Sequence, residues 1–345
     1  MNKRFTKLEI ILFFIILLVL GFFVSKNLSL FVSKETLLRQ RYNKYVSLLD
    51  DKNYSETYKF LSSSAKDKPS WEDYMNGMKN DFSNISNQNV TINKIVIKDN
   101  IGYIDRNSTE CVDNNCKTLR GYKKWVFENG SWYLTGPNPL CIREEMYDMP
   151  PEFKRALSLI NQRFSSWFKQ NNMEDPNDIS FFNCVNIEYA DTGEAEGIFT
   201  FDENSSNIEN LHIYVNRSYI SSDDLLTAFL LTHETKHALN YLNKISLGNS
   251  FTCVEDEVGA FYNQLLFTGV INQGERESLN TRLRQGYQNL NNPLKISWDL
   301  LTLEGQAQRI CKTNQFDNCT MKEVGPLIEK MVRSNPYYQK QCGLN

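Results

Sequence analysis

The sequence predicts an α+β protein in three parts. An N-terminal transmembrane helix comes first, then a domain of helices followed by an antiparallel meander, then a mainly helical domain with a small antiparallel or mixed sheet. Three observations predict it. An unbroken apolar run, Ile10–Val24, opens the chain behind Lys3, Arg4 and Lys7. Apolar residues then recur at spacings of three and four through residues 35–82, and at a period of two through 90–135. From residue 222 onward the pattern is helical.

The apolar share of 41% and charged share of 23% are those of folded protein and exclude a wholly disordered chain. A net charge of −3 gives no reason to expect a nucleic-acid partner. With 345 residues there is room for two ordinary domains. Histidine is scarce, with three in the whole chain, so their placement carries information.

With Leu8 included, residues 8–24 reach the lower length limit for crossing a hydrocarbon core of about 30 Å as a helix. The run exceeds the usual signal-peptide core of roughly 7–15 residues, and no small-residue cleavage site follows it. The basic cluster keeps the N-terminus cytoplasmic and exports the rest. The expected plan is therefore a cytoplasmic tail at 1–7, an uncleaved signal anchor at 8–24 and a linker at 25–34, with a cleaved signal as the alternative. All eight cysteines lie on the exported side and none forms a C-x-x-C pair. Disulfides are expected, with Cys111–Cys116 and Cys311–Cys319 as local pairs; buried free thiols are the other reading.

Residues 35–82 read as helices, beginning with Leu37, Leu38, Tyr42, Tyr45, Val46, Leu48 and Leu49. Strands are expected over Val90–Ile97, Ile101–Asn107, Leu119–Phe127 and Trp132–Thr135. Asn129-Gly130 between the last two is a strong short hairpin signal. This order, with the closing W-x-F-x-x-G-x-W-Y-L hairpin, resembles the NTF2-like cone fold over about 100 residues. The resemblance implies an accessory domain at 35–140, one that binds a small ligand or only spaces and dimerises. A linker at 141–150 leads to a second domain, 151–345.

That domain opens on an amphipathic helix, Glu152–Lys169. Strand-like pieces follow at Phe181–Tyr189, Gly197–Phe201 and Leu211–Asn216, and the remainder reads as helices. The first of these, from Ser221 or Ser222 as N-cap, carries His233-Glu234-Thr235-Lys236-His237, an H-E-x-x-H motif. Histidines four apart share a helix face and can converge on one Zn2+ ion. Glu234, one residue beyond the first ligand, can serve a metal-bound water as general base. Chance gives this pattern in roughly two chains per thousand of this composition.

Two imidazoles leave a tetrahedral site open, and no histidine follows His237, so a carboxylate is expected as third ligand. The helix after Thr252 offers Glu255, Asp256 and Glu257. Thr252 and Glu255 form a capping box, which gives Glu255 a structural role and favours Glu257, with Glu255 next and distant Glu304 open.

These residues resemble the gluzincin group of zinc metallopeptidases over Gly197–Phe267. The resemblance implies His233 and His237 as ligands, Glu234 as base, and Leu211–Asn216 as the edge strand to which peptide adds. Glu257-x-x-Ala260-Phe261 resembles the second helix of several bacterial members. Phe261 stands where the thermolysin-like version has Asp, which leaves the partner of the first histidine unassigned. The implied function is a membrane-anchored, exported zinc-dependent metallopeptidase acting on a peptide, a protein or a cell-wall peptide. His212, Tyr219 and Tyr241 are candidate oxyanion donors. The alternative is a non-catalytic surface binding module with structural zinc or none.

Overall fold

The structure is a computed structural model. It describes residues 32–66, 70–82, 85, 87–112, 115–136, 138–139, 141–142, 149–170, 185–201, 211–220, 222–248, 250–287, 295–311 and 319–344. The expected anchor, 8–24, lies outside them. Among the described residues no helix is long and apolar enough to cross a membrane. The chain is a mixed α+β protein, with two small sheets among the described residues, and it divides into two compact units, Met1–Asn138 and Pro139–Asn345.

In the first unit α1 (Lys34–Asp50) starts at Ser33, whose side chain accepts from the Thr36 N–H. Three short helices follow, α2 (Tyr54–Thr57), α3 (Ser63–Lys66) and α4 (Trp71–Phe82). The strands β1 (Asn87–Lys98), β2 (Ile101–Val112), β3 (Asn115–Glu128) and β4 (Ser131–Thr135) form one antiparallel sheet in chain order. Asn129 and Gly130 both take positive φ, 50° and 79°, as a two-residue hairpin turn requires. β2 and β3 run further than their apolar alternation predicts, because Cys111 and Cys116 face each other across the ladder and are joined by a disulfide. Leu38, Tyr42, Tyr45 and Leu49 recur at helical spacing on α1 and pack on Ile104, Trp125 and Trp132 of the sheet. Tyr42 and Tyr45 both meet the Trp125 ring edge-on, at centroid distances of 6.1 and 5.9 Å.

The second unit begins with α5 (Pro151–Gln170). A three-stranded sheet follows, from β5 (Val185–Ala190), β6 (Gly197–Thr200) and β7 (Leu211–Asn216), in the order β5-β7-β6. β7 is parallel to β5 and antiparallel to β6. The expectation that Leu211–Asn216 is an edge strand is therefore wrong. β7 is paired on both sides, with Leu211, Ile213 and Val215 buried on one face, and short β6 forms an edge. The helices are α6 (Asp224–Leu247), α7 (Cys253–Val270), α8 (Gln273–Tyr287), α9 (Lys295–Cys311), α10 (Met321–Ser334) and α11 (Pro336–Gln341). The last was not read from the sequence, since only six residues carry it.

α6 is capped by Asp223 and not by Ser221 or Ser222. The Asp223 Oδ1 accepts from the N–H groups of Leu225 and Leu226, both at 2.9 Å, a site a charged acceptor fills well. The helix is buried continuously from Leu226 to Thr235 and ends at Gly248 in the left-handed region, φ 65°. Arg276 closes α7 by donating to the carbonyl of Thr268 at 2.9 Å, and Arg282 pairs with Asp223, so both basic residues have structural partners. Disulfides join Cys253 to Cys342 and Cys311 to Cys319; Cys141 is also disulfide-bonded, and no described cysteine is free.

Candidate metal centre

α6 and α7 pack against each other, and the motif side chains lie at their contact. His233 and His237, one turn apart, place their Nε2 atoms 3.0 Å from each other. The Glu257 Oε2 from α7 lies 3.4 Å from the His233 Nε2 and 3.7 Å from the His237 Nε2. A tetrahedral zinc ion with bonds of about 2.0–2.1 Å separates its ligand atoms by about 3.3–3.4 Å. The three observed edges bracket that value. Glu257 Oε2 is buried without a hydrogen-bond partner, which is costly for a carboxylate oxygen unless a cation meets it. The three residues form a group able to hold a metal ion, and the donor set of two imidazoles and one carboxylate suits zinc.

Glu255 stands apart. Its carboxylate accepts from the Thr252 N–H at 2.8 Å, completing the capping box, and these bonds hold it below the usual carboxylate range. Glu304, on α9, is buried with its pKa raised by desolvation and opposed by Arg276; it belongs to no ligand cluster.

Asp256 is the partner of the second histidine, not of the first, whose partner the sequence left unassigned. Its Oδ2 lies 2.8 Å from the His237 Nδ1, and its Oδ1 accepts from the Asn240 amide at 2.6 Å. A carboxylate on the far nitrogen fixes the ring's orientation and tautomer and leaves Nε2 for a ligand. Asp256 is desolvated, but its bonds to His237 and Asn240 prevail and lower its pKa. His233 has no such partner. Its Nδ1 is buried without a hydrogen bond, and the Phe261 ring sits 4.4 Å from its own.

Glu234 is 4% exposed, on the same helix turn, and is not one of the three grouped residues. Burial raises its pKa; His233 and His237 oppose this, Glu257 adds to it, and a hydrogen bond from the Phe199 backbone opposes it. The Phe199 N–H therefore ties the edge strand β6 to the carboxylate. Burial also acts against charge on His237, but Glu257, Asp256 and Glu234 more than reverse it and raise its pKa to about 9.

These groups open into a cleft of about 610 Å³. One wall is β6 with Phe201 and Tyr241, whose rings stack at 4.1 Å. The other is α11, which brings Tyr337, Tyr338 and Gln341. Gln341 donates from Nε2 to the Glu257 Oε1 at 3.0 Å. Of the expected oxyanion donors only Tyr241 lines the cleft. Tyr219 is buried and donates to Glu196 at 3.0 Å, and His212 sits on β7 with its Nδ1 3.2 Å from Glu188. Cys253 precedes Glu257 by one turn and Cys342 follows Gln341, which is the local sequence signal for the α11 contact.

Chemically, the cleft offers a triad able to hold a metal ion, a buried carboxyl beside it and a phenol-bearing wall. The chain matches no known family model, and no curated protein matches its sequence.

Proposed function

We propose that this chain is a gluzincin-type zinc metallopeptidase, held to the membrane by residues 8–24 and facing away from the cytoplasm. The observation that carries the reading is Glu234, a buried carboxyl on the helix of His233 and His237 that lines the same cleft and feels the charge of all three triad residues yet is not one of them. A purely structural metal site has no use for such a group.

Zinc, when bound by His233, His237 and Glu257, supplies Lewis acidity toward a peptide carbonyl and toward water. Glu234 takes the proton of the attacking water and returns it to the leaving amine. Its raised pKa suits a group that must both accept and donate near neutral pH. The Phe199 N–H and Gly197 keep its carboxyl aimed into the cleft. Asp256 and Gln341 hold His237 and Glu257 so that the triad does not spread. The backbone of β6 is available to align an extended peptide or cell-wall peptide along the cleft. The first unit is an NTF2-like accessory domain with no part in the chemistry.

The test compares the wild type with Glu234→Gln on a peptide library, with zinc content measured on both. Full zinc and lost cleavage in the variant are expected. Full zinc with undiminished cleavage overturns the reading, and a zinc-loaded wild type that cleaves nothing favours a binding module.

A further inference from the structure

The first unit has its own unspent chemistry. Ile104 and Trp125 are buried against α1, so the alternation of strands puts Arg106 on the face of Ile104, and Lys123 and Gly121 on the face of Trp125. Arg106 lies directly across from Gly121 in the β2–β3 ladder, and Lys123 directly across from Ile104. Three positions on the covered face of the sheet thus adjoin one another: two cations and a residue with no side chain.

The cations are not neutralised. Among the described residues neither Arg106 nor Lys123 makes a side-chain hydrogen bond or ion pair, and the Arg106 Nε is buried without a partner. Burial, with Arg106 adding to it, holds the Lys123 ammonium down to about 8, while Glu110 pulls it up. Glu110 is itself opposite Lys117 in the ladder and accepts from the Ser108 hydroxyl at 3.1 Å. Beside the cations there is room. A Cβ placed on Gly121 would have no atom within 4 Å. Across from Gly121, the neighbouring side chain begins about 4.5–5.5 Å away, within reach of a group seated there. Arg106, Lys123 and Gly121 are each partly exposed.

We propose that the covered face of this sheet binds a small organic carboxylate, seated in the space at Gly121 and held by Arg106 and Lys123. A guanidinium fork matches a carboxylate with two parallel hydrogen bonds, and an unpartnered buried N–H is the group that gains most from one. Toward the far end of the strands the same face carries Ser108, Glu110 and Lys117, while beside the cations Ile92 on β1 and Tyr42 and Tyr45 of α1 belong to the apolar cluster, which suits a ligand carrying one negative charge on an apolar body. A free phosphate dianion would meet the same cations but leave that surface uncovered.

The experiment is calorimetric titration of the full-length protein with benzoate, acetate and inorganic phosphate, repeated with Gly121→Leu, Arg106→Gln and Lys123→Met. Benzoate binding tighter than acetate or phosphate is expected, weakened at least tenfold in each variant. The Gly121→Leu protein should keep the thermal midpoint of the wild type, because the added side chain enters open space. If that variant does not fold, Lys123→Met decides. Absence of benzoate binding, phosphate binding as tight as benzoate, or benzoate binding that ignores the substitutions each overturn the site.

Discussion

Gly197 and Glu234 are in contact across the gap between β6 and α6. A Cβ on Gly197 would lie 2.6 Å from the Glu234 Oε1 and 2.8 Å from its Cδ and Cγ, closer than carbon atoms in proteins approach. The carboxyl is thus seated against bare backbone, with the Phe199 N–H two residues along donating to it. Gly197→Ala is expected to displace the carboxyl, cost about 1–3 kcal/mol as overpacking does, and lower kcat while zinc content stays at the wild-type level. Steady-state kinetics beside metal analysis check this, and unchanged kcat would show that the contact has no bearing on turnover.

Removal of the metal should be read directly in stability. An ion that binds only the folded state adds to it by mass action, about 4 kcal/mol at a thousandfold excess over Kd. Chelator treatment is expected to lower the thermal midpoint, zinc to restore it, and His237→Ala to abolish the difference. Calorimetric scans with and without zinc check all three.

The raised pKa of His237, about 9, gives a pH dependence with a definite sign. In the metal-free protein this histidine is charged in the folded state more readily than in the unfolded state. Its contribution is complete below the unfolded pKa of about 6.5 and is lost as pH climbs through about 9. Zinc competes with the same proton. Apparent zinc affinity should therefore rise with pH up to about 9, with a proton released per zinc at neutral pH. Chelator-competition titrations from pH 6 to 10, in buffers of different ionisation enthalpy, check both trends.

Gln341 reaches Glu257 from α11, which is tied to the start of α7 by Cys253–Cys342 and packed on it through Tyr338 and Phe261. Gln341→Ala is expected to weaken zinc binding by about 10–100-fold, as loss of a ligand's hydrogen-bond partner does, and Gln341→Glu should not restore it. Cys342→Ser should weaken binding similarly, and a reductant should do so in the wild type alone. Zinc affinities of the three variants check the relationship.

Asp105 and Arg120 form a pair with little solvent access in the first unit, Arg120 donating through Nε at 3.0 Å and Nη2 at 2.6 Å. Asp105→Ala removes both of these charge-assisted hydrogen bonds and is expected to destabilise this unit by about 3–5 kcal/mol, without changing zinc content. Denaturant unfolding beside metal analysis checks it.

What could be read from the sequence is what depends on near neighbours. The four-residue spacing of His233 and His237 puts two imidazoles on one helix face whatever surrounds it, and Asn129-Gly130 makes its turn from backbone preference alone. Thr252 and Glu255 meet across a single turn, so elimination by capping led to Glu257. The α+β class followed from two periodicities, 3.6 and 2, that persist over long segments.

Only the tertiary structure decided the rest, because it turns on contacts between residues far apart in the chain. β7 alternates as any half-buried strand does, and only pairing on both sides made it central and left β6 at the edge. Asp256 looks like one more acidic residue in a first turn until α7 packs on α6 and brings it to His237. Gly197 is an ordinary glycine until Glu234 fills the space a side chain would need. Gln341 lies 84 residues from Glu257, and the two meet only where α11 packs on α7. Spacing along a helix is set by the backbone's own geometry, whereas the fit between elements is set by which side chains exclude one another, and that is settled only when the elements meet.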